Sequence, residues 1–432
     1  MKGNMFRWMR RKCRRICSCR CCLIVTVSLF VSGYLLMRHM IAEMTCKDEE
    51  SKATLTDLCK LYHDGTVAGS LCPMLCNEKK LQYNSCLNYQ GGKIVLLLGC
   101  ENCNNAMPSG TSVGAKSQLV FKMKDTLEKR DTFALDNIYS NNNKDKRQAY
   151  VRMISESVRN SYNFKFFKNM SHISDIISFT WGMDANKFLE ENRHNEDKAQ
   201  GLKALIDSVW SLSEQHEYLM YKMLQDKPYI PNIYGTCGPG YFVEFTETLK
   251  CYEKSFSLDW NSDWNQRAKT AVKLIDLVKE LDENLHQTLH VCDVKPNNFG
   301  LRENGEVTLI DTDCAFFEKD LVQQFNFSNC TKNEDCDFFD CKGLCDISKQ
   351  KCYTLRANNN LQTMCRKVFL GFSMKIPSGI LRNPPDFIKT EFYELLTSCA
   401  FPGTTRDSER AKTPWETGER LKSFLQKHVS YS

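Results

Sequence analysis

Apolar positions change period at identifiable places along the chain, and each change predicts an element. Residues 21–37 (CCLIVTVSLFVSGYLLM) form an uncharged run closed by Arg38 and His39. As a helix rising about 1.5 Å per residue the run reaches about 26 Å, close to the thinner bilayers of about 27 Å. A membrane span over 21–40 is predicted; the competing reading, a cleaved signal peptide, lacks a small-residue cleavage site after the run. Short apolar runs at 93–98 and 118–124 predict strands. Residues 125–207 are polar, rich in Asn and Lys, and only intermittently amphipathic, which reads as an insertion. Over 211–225, Leu212, Gln215, Leu219, Tyr221, Met223 and Leu224 stand near helical spacing, with Pro228 and Pro231 closing the helix. Two strands, 233–237 and 241–245, flank a Gly-Pro-Gly turn. A second helix over 266–285 carries Ala271, Leu274, Ile275, Val278, Leu281 and Leu285 on one face.

Charge sharpens the topology. The 58 basic and 52 acidic side chains give a formal charge of +6, but eight basic residues and no acid lie within 1–20. A basic tail ahead of the span places the N-terminus in the cytosol and the rest in the lumen. The remaining 50 basic and 52 acidic residues offer no basic face, so nucleic-acid binding is excluded. With 42% apolar and 25% charged residues, disorder over most of the chain is excluded as well.

Five of the 23 Cys, at 13, 17, 19, 21 and 22, precede or enter the span, where they are candidate palmitoylation sites or plain reduced thiols. Eighteen follow it, as expected of disulfides in an oxidising compartment. Cys46, Cys59, Cys72, Cys76, Cys86, Cys100 and Cys103 mark a loop-rich stapled segment over 41–105. Cys330, Cys336, Cys341, Cys345 and Cys352 form a second cluster. Cys72-x3-Cys76 and Cys100-x2-Cys103 have the spacing of zinc ligands or a redox pair. However, Cys103 runs into a turn-prone Asn-Asn-Ala-Met-Pro stretch rather than a helix that would lower a thiol pKa, so structural disulfides are expected. The sequons at Asn169, Asn326 and Asn329 lie on the luminal side and are candidate glycosylation sites.

The chemistry concentrates where the 266–285 helix runs into Leu289-His-Val-Cys-Asp293-Val-Lys295-Pro-Asn-Asn298-Phe-Gly. A turn at 303–305 follows, then Val307-Thr-Leu-Ile-Asp311-Thr-Asp313. An acid, Lys at +2, Asn at +5 and a further acid at +18 ending an apolar strand suit phosphoryl transfer. The first acid orients or accepts the hydroxyl proton, Lys neutralises the moving phosphate, and amide and carboxylate oxygens hold a phosphate-bridging metal.

The pattern resembles the catalytic and metal-binding loops of protein kinases, in the serine/threonine form. The resemblance implies Asp293 and Lys295 as catalytic residues, Asn298 and Asp311 as metal ligands, and Asp313 as a possible further ligand. Glu217-x-x-Met220-Tyr221 resembles the helix with the ion-pair Glu. The strand ending Phe121-Lys122-Met123-Lys124 resembles the one whose Lys grips the nucleotide, with Lys124 preferred and Lys122 the close alternative. With the anchor, the Cys-rich lead and the second Cys cluster, nearly the whole chain resembles the divergent protein kinase domain 1 family of endoplasmic reticulum membrane proteins.

Departures from the kinase pattern are specific. Val291-Cys292 replaces the His-Arg before the catalytic acid, which removes the Arg that pairs with a phosphorylated activation loop. Asp311-Thr-Asp313 replaces Asp-Phe-Gly. Gly110-Thr-Ser-Val-Gly114 is a weak substitute for a phosphate-covering glycine loop, and the second Cys cluster stands where a substrate platform would fold. The family is also associated with an EF-hand-like calcium loop. The matching stretch, 194–205, ends in Leu205 where a bidentate Glu is needed, so Ca²⁺ binding is not expected.

The expected architecture is α+β: a two-lobed protein-kinase-like fold over 106–432, with an N-lobe insertion at about 125–207, the Cys-rich cluster 330–352 and a helical C-terminus over 415–428. A cytosolic tail (1–20), a single transmembrane signal anchor (21–40) and a disulfide-rich segment (41–105) precede it. The expected activity is phosphate transfer from ATP, with Mg²⁺ or Mn²⁺, to Ser/Thr of luminal secretory-pathway proteins. The alternatives are a pseudokinase scaffold and, more weakly, a thiol oxidoreductase using Cys100 and Cys103.

Overall fold

The computed structural model describes residues 46–90, 92–101, 116–124, 196–249, 264–285, 287–326, 328–371, 378–403 and 408–429. The expected tail, span and most of the insertion fall outside these, as do Asn169, Cys103 and the Gly110–Gly114 stretch. Among the described residues no helix is long and apolar enough to cross a membrane.

Five antiparallel strands make one sheet in the order β1 (Leu81–Gln90), β2 (Lys93–Glu101), β3 (Lys116–Lys124), β5 (Gly240–Glu244) and β4 (Ile233–Cys237). The strand alternation sorts its two faces. Ile94, Leu96, Leu98, Leu119, Phe121 and Met123 pack under α1 (Asp48–His63) and the wide helical turn Pro73–Asn77. Leu97, Val120, Tyr241 and Val243 face the main core with α2 (Glu196–Ser213) and α3 (His216–Met223).

Two expectations change here. Residue 105 was to separate a stapled segment from the kinase-like domain, yet β2 and β3 pair from Lys93↔Lys124 to Glu101↔Lys116, so that boundary divides one sheet. Cys59, Cys76, Cys86 and Cys100 sit in helix and strand rather than in loops, while β1 is an edge strand whose two register shifts break the alternation that would have revealed it. The region over 125–207 was expected to be insertion throughout, but its end is α2, which buries Leu205, Val209 and Leu212. The stretch 194–205 that matches the calcium loop therefore runs into helix from Glu196 onward.

The second lobe is built on α4 (Trp264–Glu283), whose Ala268, Ala271, Leu274 and Leu281 are buried against α6 (Asn360–Met364), α7 (Lys389–Ala400) and α8 (Trp415–His428). Between the lobes lie two small antiparallel sheets. One is β6 (Glu247–Thr248), β8 (Phe299–Leu301) and β9 (Val307–Leu309); the other is β7 (Leu289–Val291) with β10 (Ala315–Phe317). α5 (Glu318–Gln324) leads into the second Cys cluster, which contains a single 3-10 turn (Asn333–Cys336) and the short hairpin β11 (Cys345–Asp346) and β12 (Lys351–Cys352).

Seven disulfides are described: Cys46–Cys86, Cys59–Cys76, Cys72–Cys237, Cys292–Cys341, Cys330–Cys345, Cys336–Cys352 and Cys365–Cys399. Cys100 is also disulfide-bonded, so neither it nor the Cys72/Cys76 spacing supplies zinc ligands. Asn326 and Asn329 are exposed, as acceptors of a glycan must be.

Candidate active site

The upper wall of the cleft is set by where α3 begins. α2 ends at Ser213, and the chain turns at Glu214 and Gln215 before α3 starts at His216. Gln215 pins the turn: its Nε2 donates to Pro239 O (2.6 Å) and its Oε1 accepts the Lys124 backbone N–H (3.1 Å). Glu217 is thereby turned under the sheet, where Lys122 Nζ donates to its Oε1 at 2.9 Å. Both are buried. Lys122 also donates to Ile310 O (2.6 Å), and so does the Tyr221 hydroxyl (2.6 Å). The residue just before Asp311 is thus held by the lysine that faces it.

Lys122, not the preferred Lys124, is therefore the strand lysine that meets Glu217. Both stand on the same face of β3 at a period of two, so periodicity cannot separate them. Lys124 ends the strand, exposed beside the Gln215 turn. Lys122 lies one rung inward, opposite Tyr241, whose hydroxyl donates to Glu217 Oε2 (2.5 Å).

A second lysine occupies the cleft. Lys93, the first residue of β2, reaches Glu217 Oε2 (2.8 Å), Asp313 Oδ2 (2.5 Å) and Asp311 Oδ1 (3.7 Å). Burial would raise the Glu217 carboxyl, but Lys122 and Lys93 together hold it well below the usual carboxylate range. Burial likewise opposes the charge on Lys93, which Glu217, Asp311 and Asp313 restore and strengthen. For Asp313, burial and the Glu217 charge outweigh Lys93, and its carboxyl is raised. Lys93 was not foreseen; the signal for it is the Gly91-Gly92 turn just before an apolar run. Gln90 at the end of β1 pairs with Lys93 at the start of β2, and Gly92 between them stands at φ +73°, in the left-handed region.

The lower wall carries the predicted loop. Asp293 Oδ2 accepts from Lys295 Nζ (2.6 Å) and Asn298 Nδ2 (3.0 Å), and Asn298 also donates to the Asp293 carbonyl (2.8 Å). With its nitrogen so engaged, Asn298 has its amide oxygen left for a metal. Together with the Asp311 and Asp313 carboxylates this makes an all-oxygen donor set, which fits Mg²⁺ or Mn²⁺. Asp311 Oδ1 also accepts the Asp313 N–H (3.2 Å), which orients the pair.

Beneath the loop, Cys292 occupies the position of the missing Arg and bonds to Cys341. The neighbouring Asp340 accepts the Val294 N–H (2.9 Å) and an ion pair from Lys367 (3.0 Å), and gives its own N–H to Cys292 O (2.7 Å). Deeper, buried Arg356 donates to Asn360 Oδ1 (2.7 Å), Asn358 Oδ1 (2.8 Å) and Thr363 Oγ1 (3.1 Å). Asn360 Oδ1 in turn accepts the Val291 N–H (3.0 Å), and its Nδ2 donates to Asp282 (2.7 Å). His290 bridges Arg356 (3.3 Å) and Glu318 (2.5 Å); burial lowers its pKa, so the neutral ring accepts at Nδ1 and donates at Nε2. Sequence reasoning missed this support because its members are scattered from 282 to 363.

Two family models match the chain: the protein-kinase domain of FAM69 over residues 209–402 and the N-terminal cysteine-rich ER domain of FAM69 over residues 14–171. The first contains Glu217, Asp293, Asn298 and Asp311, and the second contains Lys93 and Lys122. The cysteine-rich match thus supplies half of the cleft, including the first three strands of its sheet. A cysteine-rich ER region and a kinase-like domain that share one sheet and one cleft, each matched by its own model, place this chain in the FAM69 family of divergent kinase-like proteins.

Proposed function

We propose that this protein transfers the terminal phosphoryl group of ATP to Ser/Thr hydroxyls of secretory-pathway proteins in the endoplasmic reticulum lumen. One observation carries the reading: the buried Lys122–Glu217 pair (2.9 Å) converges with Asp311 on the cleft that Asp293, Lys295 and Asn298 floor. Asp311, Asp313 and the Asn298 amide oxygen would hold a divalent ion, whose charge would offset that of the phosphates. Lys122 binds the nucleotide phosphates, and Glu217 fixes the direction of its Nζ. Asp293 accepts the proton of the attacking hydroxyl as the new O–P bond forms and the bond to the ADP oxygen breaks. Lys295, at 2.6 Å from Asp293, offsets negative charge on the transferring group. The 21–40 run is taken as a type II signal anchor, so that the membrane is a partner through one helix and the cleft faces luminal proteins.

Asp311 and Asp313 already meet a cation of the protein's own, and a disulfide cluster stands where a peptide platform would fold. These features favour a second reading, a pseudokinase scaffold. The melting temperature of the full chain in detergent, with ATP and Mn²⁺, separates the two. At about 100 times its dissociation constant a ligand stabilises by about 2.7 kcal/mol. Asp311→Asn should lose the shift, and Asp293→Ala should keep it while losing phosphate transfer. No wild-type shift at millimolar ATP overturns the transferase and leaves the scaffold.

A further inference from the structure

Lys93 has no part in the transfer set out above, yet every ion pair it makes is with an acid of the cleft. Its ammonium touches Asp313 (2.5 Å) and Glu217 (2.8 Å) and lies 3.7 Å from Asp311. Glu217 has Lys122 on its other oxygen. Asp311 and Asp313, two residues apart, would repel each other without a cation between them. That cation is Lys93, at the place where the all-oxygen donor set would hold a metal.

An ammonium in contact with two carboxylates competes with a divalent ion for them, because the two cations repel each other. Metal-bound ATP remains anionic, so a lysine displaced from the acids has phosphate oxygens to receive it. Lys93 also sits where it can follow the ligand: it comes directly after Gly92, and a Cβ built on Gly92 meets nothing within 4 Å, so there is open space beside that residue.

We propose that Lys93 is the resident counter-ion of the metal site, holding Asp311 and Asp313 until a divalent ion takes them, and then moving onto the nucleotide phosphates. The nucleotide half of this rests on the function proposed above; the metal half does not.

The probe is Mn²⁺, first alone and then with ATP, titrated into the full chain in detergent, with free Mn²⁺ read from its paramagnetic resonance signal. Lys93→Met should bind Mn²⁺ alone about tenfold or more tightly than wild type, because a positive charge has left the site. It should bind Mn²⁺-ATP about tenfold or more weakly. Lys93→Arg, which keeps the charge, should restore the wild-type order of both. A lysine that only props up the cleft would weaken both ligands on removal, and that result, unchanged Mn²⁺ affinity, or no Mn²⁺ binding by either protein overturns the proposal. If Lys93→Met does not fold, acetic anhydride labelling of the wild type replaces it. Mn²⁺ alone should raise acetylation of Lys93 several-fold relative to Lys124, and an unchanged ratio overturns the proposal. Absence of ATP binding in every protein, with the Mn²⁺ contrast intact, sinks the proposed transferase without touching the metal half.

Discussion

The two cystine-rich segments flank one cleft and are built on opposite plans. The first, from Cys46 to Cys100, adds its disulfides to a core that already exists. Cys72 and Cys76 lie among Leu58, Leu71, Ile94, Leu96 and Phe121, and Cys72–Cys237 ties this layer to β4. The second, from Cys330 to Cys352, has cysteines as its interior: Cys330, Cys336 and Cys352 are buried with Cys345 packed on them. Two of its large apolar side chains point outward, with Ile347 68% exposed and Phe339 63%, and Phe338 packs instead beside Cys341. Disulfides reinforce packing in one segment and replace it in the other. The difference follows from what each segment covers: the first closes one face of a sheet, and the second lies against the catalytic loop and is held there by polar contacts from Lys367, Asn358 and Arg410.

Breaking the first segment should cost most. Cys72–Cys237 closes a loop with a sequence separation of 165, for which chain entropy gives about 5 kcal/mol. Cys72→Ala with Cys237→Ala should therefore lower the global melting transition strongly, as read by calorimetry. Cys292–Cys341, with a separation of 49, is worth about 4 kcal/mol on the same basis. Its loss should act locally: Cys292→Ala with Cys341→Ala should open 330–352 to proteolysis and remove the phosphate transfer proposed above, while protection of β1 to β3 in hydrogen exchange stays intact.

Acid should separate the two walls by sign. The Glu217 carboxyl in the upper wall is depressed by Lys122 and Lys93 against the pull of burial. Its stability contribution is present above an unfolded value near 4.5 and is lost as pH falls through the folded value. In the lower wall, burial pushes the Asp282 carboxyl up to about 6 despite Arg356 and the Asn360 amide. Its contribution is full below the unfolded value near 3.8 and is lost as pH rises through about 6. Asp282→Asn should accordingly stabilise the fold at pH 7 by on the order of 2 kcal/mol, seen as a higher melting temperature, and change little at pH 4. The smallest effect sharpens the contrast between the segments. Ile347→Ser with Leu355→Ser, both exposed, should change stability by less than about 0.5 kcal/mol in a denaturant titration, since neither fills a core.

How much of this was legible follows the range of the contacts. Asp293, Lys295, Asn298 and Asp311 were readable because their geometry is made by one loop and one hairpin within a single short stretch. The α4 helix and strands β2 to β5 were readable from their own residue patterns. Lys122 could not be told from Lys124, since the choice depends on Gln215, 91 residues away, breaking the chain between α2 and α3. Lys93 was hidden because its partner Asp313 lies 220 residues on. Strand β1 was hidden because bulges near Tyr83 and Cys86 spoil its alternation. The disulfide pairing was hidden because cysteine spacing says nothing about which strands will be neighbours.

The Cys292–Cys341 bond has a consequence for control. Where ordinary kinases place an arginine that reads a phosphate, this chain has a covalent tether. A phosphate can be put on and taken off many times in the life of a protein, whereas this tether is made once, during oxidative folding, and no phosphatase can undo it. The compartment in which the chain matures does the work that elsewhere falls to an upstream enzyme.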